Sequence, residues 1–402
     1  MSRVVITGMG VTSPVGHTLD RFWSALIEPR SGVRPLTVVP TERLSTRIAA
    51  QIDDFDPAAH FEPKFSNQLD RFSQFAVCAA RNAWRDSGLV LSEEVALLAA
   101  TIVGSGAGGV STTEESYNRL YLQNSTRLHP LSVPRFMSNA AGSQVSIDLG
   151  LRGPGWTVAS ACASGSHAIG QAFHMVRSGL APVALAGGAE ACLTVACIKG
   201  WEALRVLTTD ACRPFSRTRS GIVLGEGAAM FVLERRDDAV RRGARIYAEL
   251  LGFGMSTDAV DIVVADGGGA GRAMTAALAD AGLRPDDIDY VNAHGTGTVL
   301  NDKTESEAIR RVFGAQAEHL AVSSSKAVLG HGLGAAGALE LAATALALEN
   351  QVMPPTANFQ EPDPDCALDF VPNVAREAPI RHAMSNSFAF GGLNAVIVLG
   401  RA

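Results

Sequence analysis

The chain has 402 residues, of which 47% are hydrophobic and 18% charged, with a formal net charge of −6. A length above the roughly 250–300 residues at which one core stops growing predicts two domains or one large doubled core, and the low charge excludes a disordered chain. The negative charge argues against nucleic acid as a partner, no apolar run reaches the roughly 20 residues that cross a membrane, and no secretory leader is recognisable, so we expect a cytoplasmic protein.

Short apolar runs with β-branched residues, each followed by glycine and then by a longer helical pattern, predict strands along the chain. In chain order they are RVVITGMG (3–10), LAATIVGSG (98–106), PVALAGGAE (182–190), IYAELLGFG (246–254) and YVNAHGTG (290–297). Strands that alternate with helices imply a mainly parallel sheet with helices on both faces. The predicted fold class is therefore α/β.

A faint internal repeat relates the two parts of the chain. TIVGSGAGG (101–109) is similar to YVNAHGTGT (290–298), and SACASGSHAIGQAFHMVRSG (160–179) is similar to SSKAVLGHGLGAAGALELAA (324–343), in the same order. We therefore predict two similar halves, residues 1–240 and 241–402, with one active site where their loops meet. Coincidental richness in glycine is the alternative.

The six cysteines form no CxxC pair and no zinc-like spacing with histidine, so we expect reduced thiols and no metal site. Cys162 stands out because TVASACASGSHAIGQAF (157–173) predicts a strand that gives way to a helix. The unpaired N–H groups at a helix N-terminus favour a thiolate and can hold an oxyanion. We predict a nucleophile at Cys162, with a buried structural cysteine as the alternative.

Two histidines in the second half are flanked by glycine. His294 lies in NAHGTGTVLNDKTE (292–305) after a predicted strand, and His331 lies in SKAVLGHGLGAAGALE (325–340) before a predicted helix. Either residue alone is compatible with an ordinary hydrogen-bonded histidine. Together, two neutral imidazole N–H groups could hold one carbonyl oxygen and stabilise an enolate.

These motifs, with CRPFSRTRSGIVLGEGAAM (212–230) and NSFAFGGLNA (386–395), resemble the β-ketoacyl-acyl-carrier-protein synthases, most nearly the synthase II type. The resemblance implies a thiolase-like fold whose two halves form a layered α-β-α-β-α core, and a decarboxylating Claisen condensation. A degradative thiolase would need a second cysteine where Phe390 stands. A chain-length-factor-like partner subunit of a specialised heterodimer is the alternative, although such subunits lack the nucleophile that Cys162 supplies.

The resemblance also implies roles for individual residues of the reaction. Cys162 carries the acyl group as a thioester, and His294 and His331 stabilise the enolate that forms from malonyl carrier protein. The backbone N–H groups of Cys162 and Phe390 form the oxyanion hole, and the Phe390 side chain gates the site.

Four further residues have supporting roles in the family. Lys326 and Glu305 interact with each other and support the histidines, while Thr296 and Thr298 contact the pantetheine arm. No cofactor is expected, because the substrates are carried on the phosphopantetheine of an acyl carrier protein. We expect a homodimer, with a heterodimer of related subunits as the alternative.

The acyl pocket and the docking surface depart from the usual pattern. Ala107 stands where an isoleucine commonly constricts the pocket, and Trp201 is the aligned aromatic residue, so we expect a reshaped pocket unless Trp201 fills the space. Carrier docking is expected at Lys64, Arg127 and Arg205, although the predicted helix KFSNQLDRF (64–72) has neutral residues where basic ones are common. These departures leave fatty-acid and specialised pathways open.

Overall fold

The computed structural model describes residues 2–402, and its main element is one ten-stranded mixed sheet with two small two-stranded sheets beside it. The strands of the main sheet are β1 (Val4–Thr12), β4 (Ala100–Gly104), β5 (Gly155–Val158), β6 (Val183–Glu190), β7 (Gly227–Arg235), β8 (Ala248–Thr257), β9 (Tyr290–Asn292), β10 (Ala321–Ser323), β13 (His382–Ala389) and β14 (Leu393–Gly400). The small sheets pair β2 (Arg34–Pro35) with β3 (Ile48–Ala49) and β11 (Val352–Met353) with β12 (Arg376–Glu377). Each of the five predicted strand segments overlaps an observed strand.

The helices lie on both faces of the sheet and between its two parts. They are α1 (Leu19–Ile27), α2 (Pro63–Ser66), α3 (Arg71–Ser87), α4 (Glu93–Leu98), α5 (Val110–Tyr117), α6 (Ser132–Phe136), α7 (Ala140–Leu149), α8 (Ser164–Ser178), α9 (Val195–Ala203), α10 (Arg236–Arg241), α11 (Gly267–Ala281), α12 (Val299–Phe313), α13 (Lys326–Leu329) and α14 (Ala336–Asn350). A π-helical turn, Asn118–Leu122, continues α5.

The sheet has the order β10-β9-β13-β14-β8-β1-β7-β6-β4-β5, which divides into two groups of five strands. Within each group the strands lie in the order third, second, fourth, fifth and first along the chain. The groups are joined only where Val4–Ile6 of β1 pairs with Ala248–Leu250 of β8. The same topology in both groups confirms the thiolase-like fold with two similar halves.

The sequence prediction of a mainly parallel sheet is wrong, because the sheet is mixed. β4 is parallel to β5 and β6, and β9 is parallel to β10 and β13. The pairs β6–β7, β7–β1, β13–β14 and β14–β8 are antiparallel. The strands β13 and β14 are joined by a short turn, which only an antiparallel pair allows.

The helices α8 and α14 form the central layer between the two strand groups. Almost every residue of α14 is buried, which suits a helix that is apolar on all sides. A Cβ at Gly165 of α8 would lie 3.0 Å from the Ala338 nitrogen of α14, so glycine allows the two helices to approach closely. α3 and α11 cover the outer faces, which completes the layered α-β-α-β-α core.

The predicted helix over residues 64–72 is two helices. α2 ends at Ser66, and α3 begins at Arg71 because the side chain of Asp70 accepts the N–H of Phe72 and caps α3. The predicted division between residues 240 and 241 falls near the end of α10, between the strands β7 and β8.

No helix within residues 2–402 has the length and apolar character that a membrane crossing requires. The same range contains no cluster of three or more His, Cys, Asp or Glu side chains that could hold a metal ion.

Candidate active site

Cys162 lies in a single 3-10 turn, Ala161–Ala163, between β5 and α8. Ala161 has a left-handed φ of +48°, which a residue with a Cβ adopts only where its surroundings impose it. The Ser164 hydroxyl accepts the N–H of Ser160 at 2.9 Å and donates to the carbonyl of Ala161 at 2.7 Å. The turn is therefore fixed, and it places Cys162 at the N-terminus of α8, as the sequence predicts.

His331 faces the thiol of Cys162 across the boundary between the halves, with its Nε2 3.1 Å from Sγ. The backbone N–H of Leu333 donates to Nδ1 of His331 at 3.3 Å, so a neutral ring carries its proton on Nε2. Burial, followed by the charge of Lys326, holds the pKa of His331 well below its usual range. The ring is therefore neutral and points an N–H donor at the thiol.

His294 is the second histidine of the site, and its ring centroid lies 5.4 Å from that of His331. The ammonium of Lys326 lies 3.3 Å from Nδ1 of His294, and because an ammonium only donates, the His294 proton belongs on Nε2. Burial lowers the pKa of His294 well below its usual range, and the charge of Lys326 and the neighbouring His331 act in the same direction. Two neutral imidazoles, each with an Nε2–H donor, thus lie side by side.

The buried ammonium of Lys326 pairs with the carboxylate of Glu340, and it also donates to the carbonyl of His294 at 2.6 Å. The predicted interaction between Lys326 and Glu305 is wrong, because both oxygens of Glu305 accept backbone N–H groups, those of His294 and Gly295, each at 2.8 Å. Burial raises the pKa of Glu340 to about 7, while Lys326 lowers it. Glu340 therefore takes the role that the family resemblance implied for Glu305.

Glu305 supports the site in a different way. Its two backbone hydrogen bonds hold the turn that carries His294, and Asn386 donates to the same carboxylate at 3.2 Å. Burial raises the pKa of Glu305 to about 7, against the lowering effect of the backbone N–H groups of Gly295 and His294. The residue positions His294 and does not balance the charge of Lys326.

The sequence analysis missed Glu340, although a signal was present. Glu340 is a charged residue inside the otherwise apolar helix AGALELAATALALEN of α14. A carboxylate at such a position is buried, and a buried charge needs a partner of opposite sign. The nearest lysine in the sequence is Lys326, which is the partner observed.

The thiol of Cys162 is neutral in the resting site. Burial raises the pKa of Cys162 to about 12, while the charge of Lys326 and the backbone N–H of Phe390 lower it. The thiolate predicted from the helix N-terminus is therefore not the resting state.

A cavity of about 120 Å³ opens at Cys162. Its lining includes both histidines and two side chains at its mouth, Trp201 and Phe390, whose rings stack with centroids 5.5 Å apart. Phe390 precedes Gly391 and Gly392, which have left-handed φ angles of +82° and +67°. The two rings line the same cavity as the thiol, and Phe390 lies on a loop that glycine allows to turn sharply.

Thr296 and Thr298 line the same cavity, and their hydroxyls are 3.0 Å apart. In the single chain Ala107 does not line this cavity: it is exposed, and its backbone N–H donates to Glu190 at 3.3 Å. The cavity in this chain is therefore shaped by Trp201 and not by Ala107.

The three cations predicted for carrier docking are all exposed. Within residues 2–402, none of Lys64, Arg127 and Arg205 forms an ion pair, although most other arginines do. Arg205 directly precedes Val206, which lines the cavity, whereas Lys64 lies in α2 and Arg127 follows the π-helical turn. Only Arg205 is thus placed beside the mouth of the site by its own segment.

Comparison with known proteins gives matches over nearly the whole chain. Residues 1–239 match the family model described as "Beta-ketoacyl synthase, N-terminal domain", and residues 247–360 match "Beta-ketoacyl synthase, C-terminal domain". Nodulation protein E of Rhizobium sp. (strain N33) is 48% identical over 395 residues, with 98% of each chain covered. The 3-oxoacyl-(acyl-carrier-protein) synthase 2 of Coxiella burnetii is 44% identical over 407 residues, with 99% of this chain and 98% of the relative covered. The solved structure described as the ishigamide ketosynthase/chain length factor has a TM-score of 0.95 and 38% identity, with 100% of this chain and 99% of that chain covered.

Proposed function

The chain belongs to the beta-ketoacyl synthase family, and on that premise we propose that Cys162 is its acyl-carrying nucleophile and that His294 and His331 form its enolate site. It is a condensing enzyme of fatty acid or polyketide synthesis. The observation that carries the residue assignment is the 3.1 Å contact between His331 Nε2 and Cys162 Sγ, with a second neutral histidine beside it.

In the first step, the sulfur of Cys162 attacks the thioester carbonyl of an acyl carrier protein. A C–S bond forms at Cys162, the C–S bond to pantetheine breaks, and the proton of the Cys162 thiol ends on the departing pantetheine thiol. The N-terminus of α8 and the N–H of Phe390 stabilise negative charge on the sulfur and on the tetrahedral oxygen.

In the second step, malonyl carrier protein enters and loses its carboxylate as carbon dioxide. The electron pair left behind forms an enolate, whose oxygen accepts the Nε2–H groups of His294 and His331. The α-carbon of the enolate then attacks the thioester carbonyl on Cys162. The C–S bond to Cys162 breaks with its electron pair on the sulfur, and a 3-oxoacyl carrier protein leaves. The Cys162 thiolate takes up one proton from solvent, which balances the charge of the lost carboxylate.

Lys326 and Glu340 act on this step through His294. The ammonium fixes the proton of His294 on Nε2 and keeps the ring neutral, so the ring donates a hydrogen bond and does not transfer its proton to the enolate. Glu340 balances the ammonium in a site from which water is excluded.

We propose the synthase II type and an acyl carrier protein as the partner. The type is supported by the full-length match to a 3-oxoacyl-(acyl-carrier-protein) synthase 2, while a similar match to a nodulation protein supports a specialised branch. The exposed, unpaired Arg127 and Arg205 suit an acidic carrier protein, since local potential steers association more than the net charge of −6 does.

We propose further that the chain forms a dimer through β5. This strand is at the edge of the sheet, and its Gly155 and Trp156 are exposed, so it presents unpaired backbone groups to a second chain. The turn at Gly109 packs against Arg135, close to the exposed side chains of Val133 and Phe136. A second chain on this apolar face would cover Ala107 and bring it into an acyl pocket. A homodimer is the simplest such assembly, and a related subunit could occupy the same face.

The proposed function is tested by incubating the purified chain with a mixed pool of acyl carrier proteins and measuring its intact mass. One acyl group is expected, at Cys162, and its mass identifies the primer that the chain prefers. The matched control Cys197→Ala keeps the label, whereas Cys162→Ala loses it. An unlabelled wild-type chain, or a label that survives in Cys162→Ala, contradicts the assignment.

A further inference from the structure

Glu190 is a fully buried carboxylate at the end of β6. Its Oε1 accepts the hydroxyl of Ser105 at 3.1 Å and the N–H of Ala107 at 3.3 Å. Its Oε2 accepts the N–H of Gly106 at 2.6 Å and the N–H of Gly334 at 3.1 Å. Burial raises the pKa of Glu190, whereas the four partners lower it, because all of them donate to the carboxylate.

These four partners come from both halves of the molecule. Ser105, Gly106 and Ala107 form the turn after β4 in the first half, and Gly334 belongs to the turn that opens α14 in the second half. A Cβ at Gly334 would lie 2.3 Å from the Gly106 nitrogen and 2.5 Å from Oε2 of Glu190. The two turns are therefore in direct contact, with the carboxylate shared between them.

The turn at Gly334 is also the turn that fixes His331. Leu333 has a left-handed φ of +48°, and in this conformation its N–H donates to Nδ1 of His331. The next N–H along the chain, that of Gly334, donates to Glu190. One peptide N–H thus sets the proton position of His331, and its neighbour ties the same turn to the first half.

Glu190 is also close to the nucleophile. A Cβ at Gly106 would lie 2.9 Å from Glu190 Oε2 and 3.6 Å from the Cα of Ala161, next to Cys162. Burial is the main cause of the raised pKa of Cys162; Lys326 and the Phe390 N–H lower it, while Glu190 and Glu340 raise it further. The carboxylate therefore lies between the turns of the nucleophile and of His331.

We propose that Glu190 is a positioning residue, which locks the turn of His331 onto the first half and so keeps the Nε2–H of His331 aimed at Cys162. The proposal rests on the roles given above to Cys162 and His331. Glu190 itself touches neither reacting atom, so its effect is on the geometry and the tautomer of His331.

The test uses Glu190→Gln in the full chain, because the amide keeps the size of the side chain but turns an NH₂ group toward two of the four donors. We expect kcat for condensation to fall by about 10- to 100-fold while KM for malonyl carrier protein changes by less than about twofold. Glu234→Gln is the matched control. Glu234 is a buried glutamate of the same half that accepts the hydroxyl of Thr7 and pairs with Arg242, and it lies opposite Val183, at the other end of β6 from Glu190.

A second readout separates positioning from general loss of structure. In a chain labelled with ¹⁵N-histidine, the ring nitrogens of wild-type His331 should report a single tautomer with the proton on Nε2. Glu190→Gln should give a mixture of tautomers, and Glu234→Gln should match the wild type. Ser105→Ala, which removes one donor and leaves the carboxylate in place, should lower kcat by about threefold and serves if Glu190→Gln does not fold.

The outcomes distinguish a failure of the proposed function from a failure of the role given to Glu190. A wild-type chain that forms no 3-oxoacyl product contradicts the proposed function, and the role of Glu190 falls with it. A wild type that condenses normally while Glu190→Gln or Ser105→Ala equals it overturns the role of Glu190 alone. A fall in kcat without any change in the His331 tautomer also overturns it.

Discussion

The turns that open the two central helices, residues 161–163 before α8 and residues 333–335 before α14, share a backbone and differ in chemistry. Each is a 3-10 turn whose first residue, Ala161 or Leu333, has a φ of +48°, and each leads into a helix of 15 residues. The second residue of the first turn is Cys162. The second residue of the other turn is Gly334.

The difference explains why a doubled fold has one nucleophile. At Gly334 a side chain is excluded, because a Cβ would collide with the backbone nitrogen of Gly106. The second turn instead contributes its N–H to Glu190 and holds His331, which lies three residues before Gly334. The two halves thus supply complementary parts of one site, the thiol from one and the hydrogen-bond donors from the other.

The largest expected effect is a loss of stability when the ion pair between Lys326 and Glu340, which has no equivalent in the first half, is broken. Glu340 is the fifth residue of α14, and the fifth residue of α8 is Ala168. Lys326→Met leaves the buried carboxylate of Glu340 without its partner, so we expect a loss of about 3–5 kcal/mol in the free energy of unfolding, measured by urea denaturation.

The control for this prediction is the double variant Lys326→Met with Glu340→Leu. It removes both charges and should recover most of the lost stability, although the histidine site would no longer work. Additive losses in the double variant would show that the two residues do not interact, and the pairing with Glu340 would have to be abandoned.

A smaller loss of stability is expected when a side chain is added to the second turn at Gly334, the position where the first turn carries the side chain of Cys162. Gly334→Ala forces a Cβ against Gly106 and Glu190, which should cost about 1–3 kcal/mol of stability and most of the condensing activity. Gly200→Ala in α9 is the matched control, because no atom lies within 4 Å of its added Cβ, and it should be neutral or slightly stabilising. Equal stability of the two variants would mean that the two turns are not in contact.

The pH dependence of Cys162 alkylation tests whether the thiol in the first turn is neutral at rest. Because the pKa of Cys162 is raised to about 12, the thiolate fraction grows with pH throughout the range from 7 to 10. The rate of Cys162 alkylation by iodoacetamide should therefore rise by about tenfold per pH unit, whereas an ordinary cysteine levels off above its pKa of about 8.5. A plateau below pH 8 would show that the N-terminus of α8 outweighs burial and that the resting thiol is ionised.

The smallest effect is expected at the surface. Arg127→Glu and Arg205→Glu should each raise KM for the acyl carrier protein by about three- to tenfold in a salt-sensitive way, since exposed charges act mainly on association. Reaction with a small pantetheine thioester should stay nearly unchanged. Arg401→Glu, an exposed arginine at the end of the chain, is the control. Equal losses of activity with both substrates would show that the arginines stabilise the fold and do not bind the carrier protein.

Much of this arrangement could be predicted from the sequence, because local patterns determine it. The glycine-flanked strand ends could be recognised in the sequence. The internal repeat predicted that Cys162 and His331 lie near the starts of equivalent helices. The alignment of individual residues was not predicted correctly. The repeat in the sequence aligns residue 160 with residue 324, whereas in the structure Ala161 is equivalent to Leu333. The short helix α13 and the turn after it lengthen the second segment and shift the register.

What could not be predicted depends on how segments meet in space. Lys326 reaches Glu340 because the chain turns back between α13 and α14, and nothing in the sequence gives the direction of that turn. The exposure of Ala107 depends on which segments pack against it in space, and the sequence does not show this. Glu190 lies in a predicted strand, but its importance comes from Gly334, which is 144 residues away.

The most direct test of the account measures two partial reactions in three variants of the same chain. One is acylation of residue 162 by intact mass, and the other is release of carbon dioxide from malonyl carrier protein. Cys162→Ala should lose acylation and condensation but keep carbon dioxide release, because His294 and His331 remain in place. His294→Ala and His331→Ala should lose carbon dioxide release by about 10²- to 10³-fold while Cys162 still accepts an acyl group. If all three variants lost both partial reactions to the same extent, the division of the site between the two halves would be contradicted.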